Sequence, residues 1–186
     1  RFENLTCTGN VKITNAEESE EAEEIGGIAG VWHNGGEDVV FTNCKFTGKV
    51  TTNIERNKVW YDNLIGKPYS KDGKGKLIID GYTFIADGVG IKDGEAKTFY
   101  IFNANGLNYI DNLGIKAGET IKLGANIDLT GVEFDGLSAF HPENNNTFDG
   151  QNYTISNWTN NSGASDMGFI KEWVGPIKNV KFDNCH

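Results

Sequence analysis

Three cysteines, three histidines and a surplus of acidic side chains are what this sequence offers for chemistry. Cys7, Cys44 and Cys185 show no CxxC and no Cys/His spacing of a zinc site, and an odd number cannot pair fully within one chain. Within the internal similarity described below, Cys44 aligns with Leu5, Cys7 with Phe46 and Cys185 with Cys44. A position that accepts Leu, Phe or Cys is an inward apolar site, so these are read as buried, unpaired thiols. His33, His141 and His186 stand in unrelated contexts, none beside a Ser or Cys elbow, and a nucleophile triad has no support. Asp128 with Glu133, or Asp135 with Asp149, would supply the two carboxylates of a glycosidase. Acidic residues are common on turns, however, and that reading is preferred. The run NAEESEEAEE (15–24) would offer carboxylate oxygens to calcium, but it lacks the Asp/Asn/Gly spacing of a calcium loop and reads as a solvated insertion. KDGKGK (71–76) lacks the GK[ST] ending of a phosphate loop and reads as a turn. No catalytic residue, metal ligand or cofactor is assigned.

The aromatic pairs Trp32-His33 and Trp60-Tyr61 flank turns outside the inward alternation and are the candidate ligand-binding residues. An exposed aromatic face stacks on a sugar ring at small cost in side-chain entropy. The competing reading is that they cover the flank of the fold. A formal charge of -9 argues against nucleic acid or an anionic membrane surface as partner. No apolar run approaches a membrane span and no signal peptide is visible. The chain opens at Arg1 rather than Met, which is read as a processed chain or an excised piece.

The elements that would position these residues are written in a repeat. Gly 24 against Pro 3 points to many tight turns and an all-β fold. FENLTCTGNV (2–11) aligns with FTNCKFTGKV (41–50), sharing Phe, Asn, Thr-Gly and Val. A weaker copy sets Leu77, Ile79, Gly81, Tyr82 and Phe84 where Val39, Phe41, Asn43, Cys44 and Phe46 stand, and a fourth is Val180, Phe182, Asn184, Cys185. Each copy is too short to bury its own apolar face and must stack on a neighbour. Val39 and Phe41 alternate in one phase, Cys44 and Phe46 in the next, so a strand bends at Asn43 and keeps its apolar side inward. On this reading Leu5, Cys44, Tyr82 and Cys185 share one interior column, and Asn4, Asn43 and Asn184 form a side-chain ladder. Ile121, Leu123, Ala125, Ile127 and Leu129 alternate with polar residues in the same way. One short helix is predicted over 105–113, with Leu107, Ile110 and Leu113 on one face, Asn103 or Asn105 as cap and Gly114 as stop.

IGGIAG (25–30) followed by VVFTNCKFTGKV (39–50), and MGFIKEWVGPIKNVKFDNC (167–185), resemble the GLUG-motif repeats of bacterial surface proteins. FYIFNANGLNYIDNL, TIKLGANIDLTGVEF and TFDGQNYTISNWT, between Thr98 and Cys185, resemble the opening of an adhesin-like β-helix domain in the same proteins. The resemblance implies a right-handed parallel β-helix (a β-solenoid) with the short helix capping its open end. It also implies coils 1–93 of one solenoid and 94–186 opening another, or a single continuous stack, the arrangement favoured here because an uncovered coil invites pairing at its edge. The function it implies is a non-catalytic, cell-surface or extracellular module for adhesion or glycan binding, a piece of a longer repeat protein. Its partners would be a glycan or a host or cell-surface ligand, with self-association through exposed solenoid ends. The alternative is a polysaccharide lyase or glycoside hydrolase on the same scaffold, since fold alone does not choose.

Overall fold

The computed structural model describes residues 1–12, 27–34, 37–51, 65–70, 75–139, 144–160 and 168–186. The chain divides into two compact units, Arg1–Phe84 and Ile85–His186. In the first run β1 (Phe2–Glu3), β2 (Thr6–Cys7), β3 (Val11–Lys12), β4 (Ala29–Asn34), β5 (Val39–Thr42), β6 (Lys45–Phe46), β7 (Val50–Thr51), β8 (Ile65–Ser70) and β9 (Leu77–Ile79). β10 (Tyr82–Ala86) carries the chain across the division.

The two stretches aligned by sequence lie side by side as parallel neighbours. Phe2 pairs with Phe41, Thr6 with Lys45, Cys7 with Phe46 and Val11 with Val50, every pair 39 positions apart. Phe41 is wholly buried, and the Phe2 ring stacks on it with centroids 4.7 Å apart. Between the strands, Asn4 and Asn43 bend the chain at φ 54 and φ 51, the left-handed region that Asn tolerates better than other residues with a Cβ. Asn43 Nδ2 donates to Asn4 Oδ1 at 2.8 Å, and the Asn43 amide donates to Asp80 at 2.7 Å.

The third aligned stretch departs from the expectation. Leu77 and Ile79 do lie against Val39 and Phe41. Asp80 and Gly81 then both take positive φ, 48 and 82, as the two-residue loop of a tight hairpin requires, and β10 folds back antiparallel with Tyr82 opposite Ile79. Tyr82 therefore does not occupy the place after the bend that Cys44 holds after Asn43.

The second unit contains β11 (Val89–Ile91), β12 (Thr98–Ile101), α1 (Ala104–Leu113), β13 (Thr120–Leu123), β14 (Ile127–Asp128), β15 (Leu137–Ala139), β16 (Thr147–Asp149), β17 (Thr154–Ser156), β18 (Ile170–Trp173), β19 (Ile177–Lys178) and β20 (Lys181–Asp183). β11 and β12 are antiparallel. From β12 onward the pairings are parallel: Phe99 with Ile121, Ile121 with Phe148, Phe148 with Ile177. Ile127, Ile155 and Phe182 form a second ladder and Leu137 with Ile170 a third. Ile121, Leu123, Ile127, Leu129, Phe148 and Ile155 are buried in a common core, whereas Ala125 sits at a bend, half-buried.

Helix α1 starts and stops where its sequence signals stand. Asn103 Oδ1 accepts from the Gly106 amide at 2.9 Å, and Gly114, at φ 76, ends it. Leu107 and Ile110 enter the core, but Leu113, expected on the same face, is 48% exposed. Asn184 belongs to a ladder within this unit rather than with Asn4 and Asn43. Its Nδ2 donates to Asn157 Oδ1 at 2.7 Å, and Asn157 Nδ2 donates to Asp128 at 2.9 Å.

The described residues thus form an all-β chain with one helix, and its sheets are mixed. Leu5 is 41% exposed, and of the three free thiols only Cys44 is buried, Cys7 and Cys185 being half-covered. The cause is position: Leu5 and Cys7 flank or sit in strands at the edge of their sheets, and Cys185 follows the edge strand β20, so among the described residues each has a neighbouring strand on one side only. Among the described residues no helix is long and apolar enough to cross a membrane.

Candidate functional site

A groove of about 540 Å³ lies within the second unit, lined by the outward side of α1 (Asn108, Asp111, Asn112), the segment Val132–Asp135, and Thr159 and Asn160. Its size falls in the range of small-ligand sites. Leu107 and Ile110 turn one side of the helix to the core, which leaves Asn108 and Asn112 on the other side and Asp111, four residues after Leu107, at the border.

The segment Val132–Asp135 has no strand partner among the described residues, and side chains from three directions hold it. The carbonyl of Glu133 accepts from Asn108 Nδ2 at 3.3 Å, that of Phe134 from Trp158 Nε1 at 2.8 Å, and that of Asp135 from Asn160 Nδ2 at 3.4 Å. Three successive carbonyls are thereby tied to the helix, to the core and to the segment after β17. Phe134 is buried between the exposed Glu133 and Asp135, as an extended backbone requires.

Asp111 is the group whose acidity the groove perturbs. Burial pushes its carboxyl above the usual aspartate range, and the negative charge of Asp135 adds to the push. The Ser138 amide, which donates to Asp111 Oδ1 at 3.2 Å, and the charge of Lys171 oppose it. The lining is amide, carboxylate and hydroxyl, with no Ser, Cys, His or Lys that would act as nucleophile or base toward a substrate. Such donors and acceptors suit a ligand rich in hydroxyl groups. Among the described residues no cluster of three His, Cys, Asp or Glu side chains has the geometry to hold a metal ion.

The carboxylates singled out in the sequence are redistributed. Glu133 and Asp135 do enter the groove, but with Asp111 rather than with Asp128 and Asp149. Asp128 accepts from Asn157 and Thr130, which hold its carboxyl below the usual range. Burial works against the charge of Asp149, but the Gln151 amide, Asn179 and Lys178 outweigh it, and its acidity is raised. Both are ladder ends. Trp32 and His33 lie on β4, whose backbone pairs them with Pro68 and Tyr69 of β8. Trp60, Tyr61, His141 and the glutamate-rich run 15–24 lie outside the described residues. His186 bonds Asn184 Oδ1 at 3.1 Å, at the end of the asparagine ladder.

Sequence reasoning passed over the groove because its members are far apart in the chain. A signal was present: the predicted helix leaves Asn108 and Asn112 opposite its apolar stripe and Asp111 at the border of it. Set against known proteins, the chain matches no family model, no curated protein and no solved structure.

Proposed function

We propose that the chain is a right-handed parallel β-helix module of a cell-surface or secreted protein, acting without catalysis in adhesion or glycan binding. What supports the β-helix is the succession of parallel partners: Ile121, Phe148 and Ile177 in one ladder, Ile127, Ile155 and Phe182 in another, Leu137 and Ile170 in a third. Each strand meets the one that follows a circuit later, and parallel crossovers of this kind are right-handed in nearly all folds. The hairpins at β9–β10 and β11–β12 interrupt that succession. The resemblance to GLUG-motif and adhesin-like repeats supports the surface setting.

The observation that carries the binding reading is the groove beside α1, with its lining held by Asn108, Trp158 and Asn160 before any ligand arrives. A site already in its bound shape spends little ordering entropy on binding. A glycan array with the intact protein tests it, alongside the paired variant Glu133→Gln/Asp135→Asn and, for the aromatic candidates, Trp32→Ala and Trp60→Ala. Retention of at least one glycan class, lost in the groove variant, is expected. No retention on a broad array, or retention that none of the variants alters, refutes it.

A catalytic second reading draws on one observation, the raised pKa of the Asp111 carboxyl in the groove it shares with Glu133 and Asp135. New reducing or unsaturated ends released from polysaccharides, abolished by Asp111→Asn, would establish it; their absence across a broad panel counts against it.

A further inference from the structure

We infer that the groove beside α1 takes a saccharide bearing protonated primary amines, an amino sugar whose nitrogen carries no acyl group. This deepens the binding reading above and rests on it. It follows from what the walls of the groove donate and accept.

Asp111, Glu133 and Asp135 line the groove, and no Lys, Arg or His side chain lines it with them. Glu133 and Asp135 stand two residues apart on the extended segment with buried Phe134 between them. They therefore share its outer side, roughly 6–7 Å apart along the backbone. The charge of Asp135 is felt at Asp111, and Lys171, which also acts on Asp111, is not part of the lining.

The amides do not balance this charge. Asn108 and Asn160 each commit an N–H to a carbonyl of the segment, and Asn112 commits one to the Asn108 carbonyl at 2.7 Å. Asp111 Oδ1 takes the Ser138 amide. Its Oδ2, the carboxylates of Glu133 and Asp135, and Oδ1 of Asn108 and Asn112 accept from none of the described residues. Acceptors thus exceed donors along the lining, and the ligand must bring the donors. An ammonium group brings three together with a positive charge, and the hydroxyls of a sugar ring bring more.

A metal ion does not meet the same need, since among the described residues no three acidic, His or Cys side chains have the geometry to hold one. The groove, at about 540 Å³, also has room for a body far larger than an ion. A uronic acid is the converse case: it brings more acceptors and a negative charge to a chain of net charge -9. A linear polyamine answers the charge but offers no hydroxyl to Thr159 or to the asparagine oxygens.

Titration calorimetry of the intact 186-residue chain tests this at about pH 6, where a primary amine is protonated. The probes are short oligomers of glucosamine, of N-acetylglucosamine and of a hexuronic acid, matched in length, and spermine. The glucosamine oligomer is expected to bind about tenfold or more tighter than its acetylated counterpart, with the hexuronate weakest. Glu133→Gln/Asp135→Asn should weaken it by about tenfold or more. Glu3→Gln/Asp183→Asn removes the same charge outside the lining and should bind as wild type. The groove pair keeps the backbone carbonyls that tie the segment; should it not fold, Asp111→Asn takes its place. Equal losses in the two pairs would mean attraction to net charge alone and overturn the proposal, as would spermine binding as tightly as the glucosamine oligomer. An acetylated or hexuronate oligomer that binds as tightly, and is weakened by the groove pair, overturns the amine and leaves the groove a glycan site. Binding by no saccharide removes both.

Discussion

Replacing Asn157 separates the two tasks that one ladder residue performs. Asn157 turns the chain at φ 58, accepts from Asn184 at 2.7 Å and donates to Asp128 at 2.9 Å. Asn157→Ala removes both side-chain hydrogen bonds, each worth about 0.5–1.5 kcal/mol net, and these bonds are exposed, so the lower half of that range applies. It also places a Cβ without a compensating polar group in the left-handed region, at a cost of roughly 1–2 kcal/mol. The expected loss is about 2–4 kcal/mol. Asn157→Gly loses the same bonds but tolerates the backbone conformation, offset in part by glycine's greater freedom when unfolded, and should lie about 0.5–1 kcal/mol closer to wild type than the alanine variant. Guanidinium unfolding followed by tryptophan fluorescence measures both, since Trp158 and Trp173 lie in the same unit. A double-mutant cycle with Asn184→Ala should return a coupling of roughly 0.5–1 kcal/mol. Alanine and glycine variants that both match wild type, or a glycine variant weaker than alanine, would refute the reasoning.

Three further outcomes follow from the same geometry. Gly136 sits at φ 104, and a Cβ there would strike the Gly168 carbonyl, so Gly136→Ala should lower stability by about 2 kcal/mol or more, read in the same unfolding assay. The acidities of Asp128 and Asp149 are raised in the fold, so their contribution is present above the unfolded aspartate pKa and drains away as pH falls through the lower folded value. The unfolding midpoint should therefore drop from about pH 4 downward, and Asp149→Asn should flatten that slope. For Asp111 the sign is reversed: its raised folded pKa means the fold disfavours the carboxylate, and the penalty grows as pH rises through that value. Asp111→Asn, whose Oδ1 still accepts from the Ser138 amide, should leave stability at pH 7 equal or up to about 0.5 kcal/mol higher, with the advantage gone in acid.

Much of the local structure was legible in the sequence because it depends on neighbours in the chain. Asn103 and Gly114 delimit the helix, and the alternation from Ile121 to Leu129 marks the buried side of β13 and β14. The match of Phe2–Val11 with Phe41–Val50 was legible for another reason: stacked strands share an environment, so paired positions carry similar residues. Tyr82 was misplaced because a weak alignment was set above a stronger local signal, Asp80-Gly81 between two apolar runs, which is a hairpin loop. Leu5 and Cys185 were placed inside because their aligned positions accept apolar residues, and an alignment cannot tell an inner strand of a sheet from an edge strand. The groove was hidden for the opposite reason: Asp111, Glu133 and Asn160 are joined only by the folding of distant segments, and none belongs to a motif.

Interstrand NOEs on labelled protein test the stacking of coils most directly. Parallel ladders predict α-proton to amide contacts linking Ile127 to Ile155 and Ile155 to Phe182, and the same class of contact linking Phe2 to Phe41. Close α-proton to α-proton contacts between those pairs, the mark of antiparallel strands, or no contact between them, would contradict it.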